Sequence, residues 1–362
     1  MMGFKCLLLL SLCALLPRLA FAYDFDKIKL AGGLGVPWGM VFIDNNKLLL
    51  TDRAAKVFIV DVNKGSKQRL RGLPEIHVSG QGGLLDVAST PEDPDWIYFT
   101  YSIDQGGRGV TELAKAKLKG NQLTHWKVLL SSLSAFDSDR HYGSRIAFDG
   151  KGHVFFSIGD RGERSNGQNL STHAGSIVRL NLDGSVPKDN PFIGRKNALP
   201  EIWSYGHRNP QGLFHDHQNH QLWSIEHGPR GGDEINLILK GRNYGWPIVS
   251  HGKEYWGPFA VGESTSKLGM EDPRKVYIPS IAPSGLMRYS GKVFKQWQDN
   301  LFTGALKLAH LNRVVLDKNN QGVEEHRLFE ELGQRIRNVI EGPDGLIYFT
   351  TDSGELYRVQ PK

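Results

Sequence analysis

His141 and Asp160 are the pair in this chain best suited to moving a proton. An imidazole has an ordinary pKa near neutrality, and a carboxylate on one ring nitrogen fixes the tautomer and raises the basicity of the other. His141 opens the segment Arg140-His141-Tyr142-Gly143-Ser144-Arg145-Ile146-Ala147-Phe148, read as a strand, and Asp160 stands at the exit of the next one. Four cations form a second set. Arg335 and Arg337 flank Ile336, and in an extended segment period-two alternation puts both guanidinium groups on one face. There they repel unless they share an anion; the plain alternative is two solvated surface arginines. Lys307 sits among Ala305, Leu306, Leu308 and Ala309, where a charge costs energy unless paired. With Arg208 added, four converging cations suit a small polyanion, carboxylate or phosphate.

Gly228-Pro229, within Glu226-His227-Gly228-Pro229-Arg230-Gly231-Gly232-Asp233-Glu234, offers carbonyl oxygens on a kinked segment beside carboxylates. Such oxygen donors suit a hard cation such as calcium better than zinc. The histidines at 207, 215, 217, 220 and 227 lack a thiolate or a His-x-x-x-His pair, which weighs against zinc. Gly32-Gly33-Leu34-Gly35 runs into Pro37 and Trp38 rather than a helix, so it is not a dinucleotide loop. Neither a Walker loop nor a Gly-x-Ser-x-Gly elbow occurs, and Asn169-Leu170-Ser171 is a weak glycosylation sequon.

These residues need a scaffold that gathers distant loops. Within residues 203–247, three polar glycine-marked clusters alternate with the short apolar runs Leu222-Trp223-Ser224-Ile225 and Ile235-Asn236-Leu237-Ile238-Leu239. That pattern reads as loops at strand ends, where chemistry is commonly mounted. A turn followed by a β-rich strand recurs six times, with strands at 47–52, 96–101, 153–160, 221–226, 301–306 and 346–352. Second strands follow at 56–60, 176–180 and 355–359. Six copies of an all-β unit predict a six-bladed β-propeller, whose loops gather at one end of a central channel. The segment 27–30 is expected to close the ring against the last blade. Residues 324–332 are the best candidate for a short helix.

The first 22 residues have the form of a secretory leader. Lys5 supplies the basic region, residues 7–16 the apolar core and Ala20-Phe21-Ala22 the cleavage site. The apolar run is too short and too interrupted by Pro17 and Arg18 to span a membrane. Residues 23–362 are then one exported domain, periplasmic or secreted. Cys6 and Cys13 both lie in the leader, so no disulfide is expected. Of 44 Lys and Arg against 38 Asp and Glu, Lys5 and Arg18 leave with it, and the net charge falls from +6 to +4. That excess is dispersed and points to no nucleic-acid partner.

Taken in order, Pro37-Trp38-Gly39, Gly80-Gln81-Gly82-Gly83-Leu84-Leu85-Asp86, residues 141–145, Ile158-Gly159-Asp160, residues 206–212, 227–234 and 243–247, Lys307 and Arg335-Ile336-Arg337 resemble the soluble quinoprotein glucose/sorbosone dehydrogenases. They are most similar to the branch of aldose sugar dehydrogenases, and the likeness covers essentially all of residues 23–362. It implies a six-bladed propeller that uses pyrroloquinoline quinone (PQQ) and Ca2+ to oxidise aldose sugars at C1 to lactones. By this resemblance His141 is the general base on the anomeric hydroxyl, Asp160 its carboxylate and Asp233 a second acid nearby. Arg208 lies over the quinone oxygens, with Asn209 and Gln211 as further cofactor contacts. Lys307, Arg335 and Arg337 hold the cofactor's three carboxylates. The carbonyls of Gly228 and Pro229 ligate the catalytic calcium, Glu234 and the backbone of Tyr244 a second, structural one, and Gln81 lies near the sugar. One departure stands out: Arg140 occupies the place of an acidic residue in the glucose dehydrogenases, which favours a different or broader aldose range. His227 also fits the aldose branch. A propeller that binds carbohydrate or protein without redox chemistry is the competing reading, and a calcium-dependent lactonase a third. Neither needs four cations around a tricarboxylate. The electron acceptor and the choice between monomer and homodimer stay open.

Overall fold

The computed structural model describes residues 25–362; the expected leader lies outside them. The described chain forms six four-stranded antiparallel sheets. The first strand of each, in order, is Pro37–Phe42, Leu84–Ala88, Ile146–Phe148, Pro210–Asp216, Pro283–Arg288 and Ile336–Glu341. Each of these inner strands packs against the next, and the sixth against the first, so the sheets are the blades of a closed propeller. All six β-rich repeats of the sequence fall on the second strand of a blade, such as Lys47–Asp52, Ile97–Asp104 and Ile347–Thr351. These strands are sandwiched between neighbouring blades. Ile97 through Ser102 are all buried, which is why they read as unbroken apolar and aromatic runs rather than alternating ones.

The ring closes as expected. Phe25–Ala31 pairs antiparallel with the last strand, Glu355–Pro361, with Phe25 opposite Pro361 and Lys27 opposite Val359. Several of the outermost strands are short or charged. Lys67–Arg69 is exposed throughout, which blunts an edge that would otherwise pair with another chain.

The helix expected over 324–332 does not form. Gly322–Leu328 is the outer strand of blade five, and only Glu330–Leu332 makes a 3-10 turn. Pairing of Arg313 with His326 and of Val314 with Glu325 decides the conformation. An outer strand needs little apolar surface, so tertiary pairing overrides the helix preference of the glutamates. Among the described residues, no helix is long and apolar enough to cross a membrane.

Candidate active site

Because every inner strand starts at the same end of the channel, the segments just before and at those starts converge. They line one cavity of about 150 Å³ to which all six blades contribute: Trp38, Gln81, Gly143, Asn209, Ala282 and Arg337 each come from a different blade. Arg53, His227 and Arg335 complete much of the rest of its wall.

His141 is not in a strand. Strand three begins only at Ile146, and His141 sits in the preceding loop with φ 58°. The left-handed region is uncommon for a residue with a Cβ, though more accessible to His than to branched residues. The loop is held from several sides. Buried Arg161 stacks on the Tyr142 ring at 3.5 Å and donates to the carbonyls of Arg140, Gly109 (3.1 Å) and Ser138 (2.6 Å). Gly159 permits the close approach, since a Cβ there would run into the His141 carbonyl. The His141 N–H donates to Gln81 Oε1 at 2.8 Å, tying the loop to blade two.

His141 Nδ1 lies 2.6 Å from Asp160 Oδ1. Burial works against the Asp160 carboxylate, but the His141 hydrogen bond, helped by the Arg208 charge and the Gly162 N–H, holds the pKa below the ordinary value. An ionised carboxylate only accepts, so Nδ1 carries the proton and Nε2 keeps its lone pair. Burial pushes the imidazole pKa down, and the charges of Arg208 and Arg140 add to that against the opposing pull of Asp160. The ring is therefore neutral, and among the described residues its Nε2 has no hydrogen-bond partner. The other Asp160 oxygen accepts from the Trp246 indole at 2.8 Å, and Gly162 N donates to Oδ1 at 2.7 Å. His141 is thus a base with a fixed tautomer and a carboxylate that cannot swing away.

Arg208 is buried beside this pair. Its NH1 donates to Gly228 O at 2.8 Å, while its Nε is buried without a partner. Its backbone N–H donates to Glu226 Oε2 at 2.7 Å, and its carbonyl accepts from Asp160 N at 2.8 Å. Asn209 and Gln211 line the cavity and bond to each other at 3.1 Å. His227, driven to a pKa of about 3 by burial, donates from Nε2 to Pro283 O at 2.7 Å and feels the charges of Arg208 and Arg337.

Arg335 and Arg337 do share an anion, and it belongs to the chain. Both bond to Asp352, Arg337 through Nε and NH2 at 2.7 and 2.8 Å and Arg335 through Nε at 2.8 Å. Lys307 differs from expectation: its side chain is exposed rather than set in an apolar surround, so its charge is solvated, and among the described residues it has no ion pair. Asp233 is fully buried, and no hydrogen bond joins it to His141 or Asp160. Its oxygens take Gly228 N at 2.9 Å, the Ser280 hydroxyl at 2.6 Å and Ala282 N at 2.9 Å. It shapes the Gly228-Pro229 loop from beneath.

Glu226 and Glu234 face each other across two strands of blade four. They line a small cleft with Gly228, Pro229 and Tyr244. Glu226 accepts from His207 Nδ1 at 2.9 Å, from Arg208 N and from Asn236 at 3.2 Å, whereas Glu234 has only Asn236 at 3.3 Å. Burial first, then the Glu226 charge, pushes Glu234 up to about 8. Among the described residues, no cluster of three or more His, Cys, Asp or Glu side chains could cage a metal. A cation here would have to use backbone carbonyls and these two crowded carboxylates. A buried acid crowded by a second carboxylate, and a buried guanidinium Nε without an acceptor, fit a divalent cation and an anionic cofactor respectively.

Trp246, Arg161 and Asp352 carried no role in the sequence reading. Trp246 and Asp352 lie within noted motifs, but only the fold brings them to their partners.

Known proteins share the sequence and the fold of this chain. The family model described as Glucose / Sorbosone dehydrogenase matches residues 34–358. Aldose sugar dehydrogenase YliI of Escherichia coli is 40% identical over 90% of this chain and 90% of its own. The crystal structure of the soluble aldose sugar dehydrogenase from Escherichia coli in the apo-form superposes with a TM-score of 0.89 at 37% identity, covering 93% of this chain and 100% of that one. The PQQ-bound form of an aldose sugar dehydrogenase from Streptomyces coelicolor gives 0.76 at 25% identity, over 93% and 98%. The chain belongs to the glucose/sorbosone dehydrogenase family.

Proposed function

We propose that this chain is an exported, PQQ- and calcium-dependent dehydrogenase that oxidises aldose sugars at C1 to lactones. The reading rests above all on His141, whose Nδ1 is held by Asp160 and whose chain neighbours Tyr142 and Gly143 line a cavity with three arginines to which all six blades contribute. His141 takes the proton of the anomeric hydroxyl at Nε2, and Asp160, held by Trp246, stabilises the imidazolium that forms. Gln81, which fixes the His141 backbone and lines the cavity, is placed to meet the sugar. Arg208, Asn209, Gln211, Lys307, Arg335 and Arg337 would hold PQQ. When bound, the quinone supplies the two-electron acceptor for the hydride leaving C1. The carbonyls of Gly228 and Pro229 would hold a calcium ion, which would supply Lewis acidity, and Glu234 with the Tyr244 backbone would take a second ion.

The test is to mix apo-protein with PQQ and Ca2+, add aldoses and follow reduction of an artificial electron-accepting dye. His141→Ala is expected to retain quinone binding and lose a hundred- to ten-thousandfold in kcat. Full activity in that variant would remove His141 from the mechanism. Absence of both dye reduction and quinone binding in the wild type would favour a non-redox binding propeller.

A further inference from the structure

Between the third and fourth strands of blade four the chain makes a hairpin whose tip is Glu254-Tyr255-Trp256-Gly257-Pro258-Phe259. Lys253 pairs with Ala260 and also with Arg230, and Glu254 N donates to Phe259 O at 2.8 Å. Arg230 belongs to the loop that carries Gly228 and Pro229. A second brace runs through Glu254, which holds Arg164 with two hydrogen bonds of 2.7 and 2.8 Å. Arg164 lies over the Trp246 ring at 5.7 Å, and Trp246 donates to Asp160. The hairpin is therefore paired directly with the carbonyl loop and linked to the carboxylate of the base only through Arg164 and Trp246.

What it presents is unusual for a polar loop. Trp256, Tyr255 and Phe259 are 75%, 65% and 58% exposed, and the Trp256 and Phe259 rings stand 5.0 Å apart. Three adjacent aromatic side chains held in water are not explained by folding, since apolar surface is stabilised by burial. Nothing in the proton-transfer site uses them. Flat aromatic faces fringed by Arg164, Glu254 and Lys253 suit a ligand with apolar C–H faces and a rim of hydroxyls. A pyranose ring has that character.

We infer that Tyr255, Trp256 and Phe259 form an outer sugar-stacking subsite, which takes the second and third rings of an oligosaccharide whose reducing end lies at His141. The inference rests on the dehydrogenase reading for the position of the reducing end, and it names the residues that set chain-length preference. Braced as it is, the tip costs little to order when the sugar arrives.

The experiment compares glucose with maltotriose in the PQQ- and calcium-loaded enzyme, in the wild type and in Trp256→Ala and Phe259→Ala. The ratio of the KM for maltotriose to that for glucose is expected to rise about three- to tenfold in Trp256→Ala, an effect of the size seen for a lost aromatic contact. It should rise less in Phe259→Ala. A ratio that stays at the wild-type value, or a fall for both sugars alike, would overturn the subsite. Calorimetric titration with maltotriose needs no turnover and separates the two readings. Heat in the wild type that weakens in Trp256→Ala supports the subsite even if no dye is reduced. Equal heats in both proteins count against it even in an active enzyme.

Discussion

At the scale of single residues, the acid–base behaviour of His141 follows from what surrounds it. Burial lowers its pKa, and the nearby cations Arg208 and Arg140 lower it further, while Asp160 pulls the other way. The base must be neutral to accept a proton, so kcat/KM should fall on the acid side only below the ordinary histidine value of about 6.5. Arg140, next to His141 in the chain, is exposed. Arg140→Gln takes away a positive charge that disfavours the imidazolium, so the imidazole pKa must rise and the acid limb of kcat/KM must move to higher pH. A pH profile at low ionic strength checks this, and added salt should shrink the difference between the two proteins because an exposed charge is screened. An unmoved limb would mean that Arg140 does not act on His141 electrostatically.

At the scale of elements, blade four sets two carboxylates opposite each other at the register pair Glu226–Glu234. With its pKa raised to about 8, Glu234 keeps its proton in the folded state across a range where the unfolded chain, near 4.5, has lost it. The folded state then binds more protons, so this group's stabilising contribution is complete below about 4.5 and fades as pH rises toward 8. A divalent cation reverses the balance, since it favours the ionised pair and stabilises by mass action. Thermal midpoints in EDTA should therefore fall with pH more steeply in the wild type than in Glu234→Gln. Millimolar calcium should raise the wild-type midpoint, most at high pH, and the increment should be lost in the variant. The strand that carries Glu226 was legible in the sequence because every second strand of a blade is buried on both faces and so reads as an apolar run. The charged outer strand Gly322–Leu328 was not, because its conformation depends on a partner rather than on its own pattern. The same holds for the site. Histidine, arginine and the Gly-Pro carbonyls announce themselves by type, whereas the apolar setting inferred for Lys307 failed, because flanking residues say nothing about which way a side chain leaves the sheet edge.

At the scale of the whole molecule, one guanidinium joins most of the ring. Arg145, at the head of blade three, donates to Gln211 O of blade four (2.7 Å), Trp38 O of blade one (3.0 Å), Asp86 of blade two (3.0 Å) and Arg337 O of blade six (3.2 Å). It also lies over the Trp38 ring at 3.9 Å. Four of its neighbours line or adjoin the cavity beside the proton-transfer site, while another cavity, of about 410 Å³, lies past it at the far ends of the inner strands. Sequence spacing could not reveal this hub, since its partners are 59 to 192 residues away. Burial drives the Arg145 pKa down to about 10 and pushes that of Asp86 up, so each ion depends on the other for its charge. Removing one member leaves an uncompensated buried charge, which costs about 3–5 kcal/mol. Arg145→Met should lower the denaturant midpoint by that amount of stability. Arg145→Met combined with Asp86→Leu should recover part of it, because no charge is then left stranded. A double variant as unstable as the sum of the two single changes would show that the backbone carbonyls, rather than the ion pair, are what the guanidinium holds together. In either case the inner strands lose a common anchor just below the cavity, so quinone affinity should weaken along with stability.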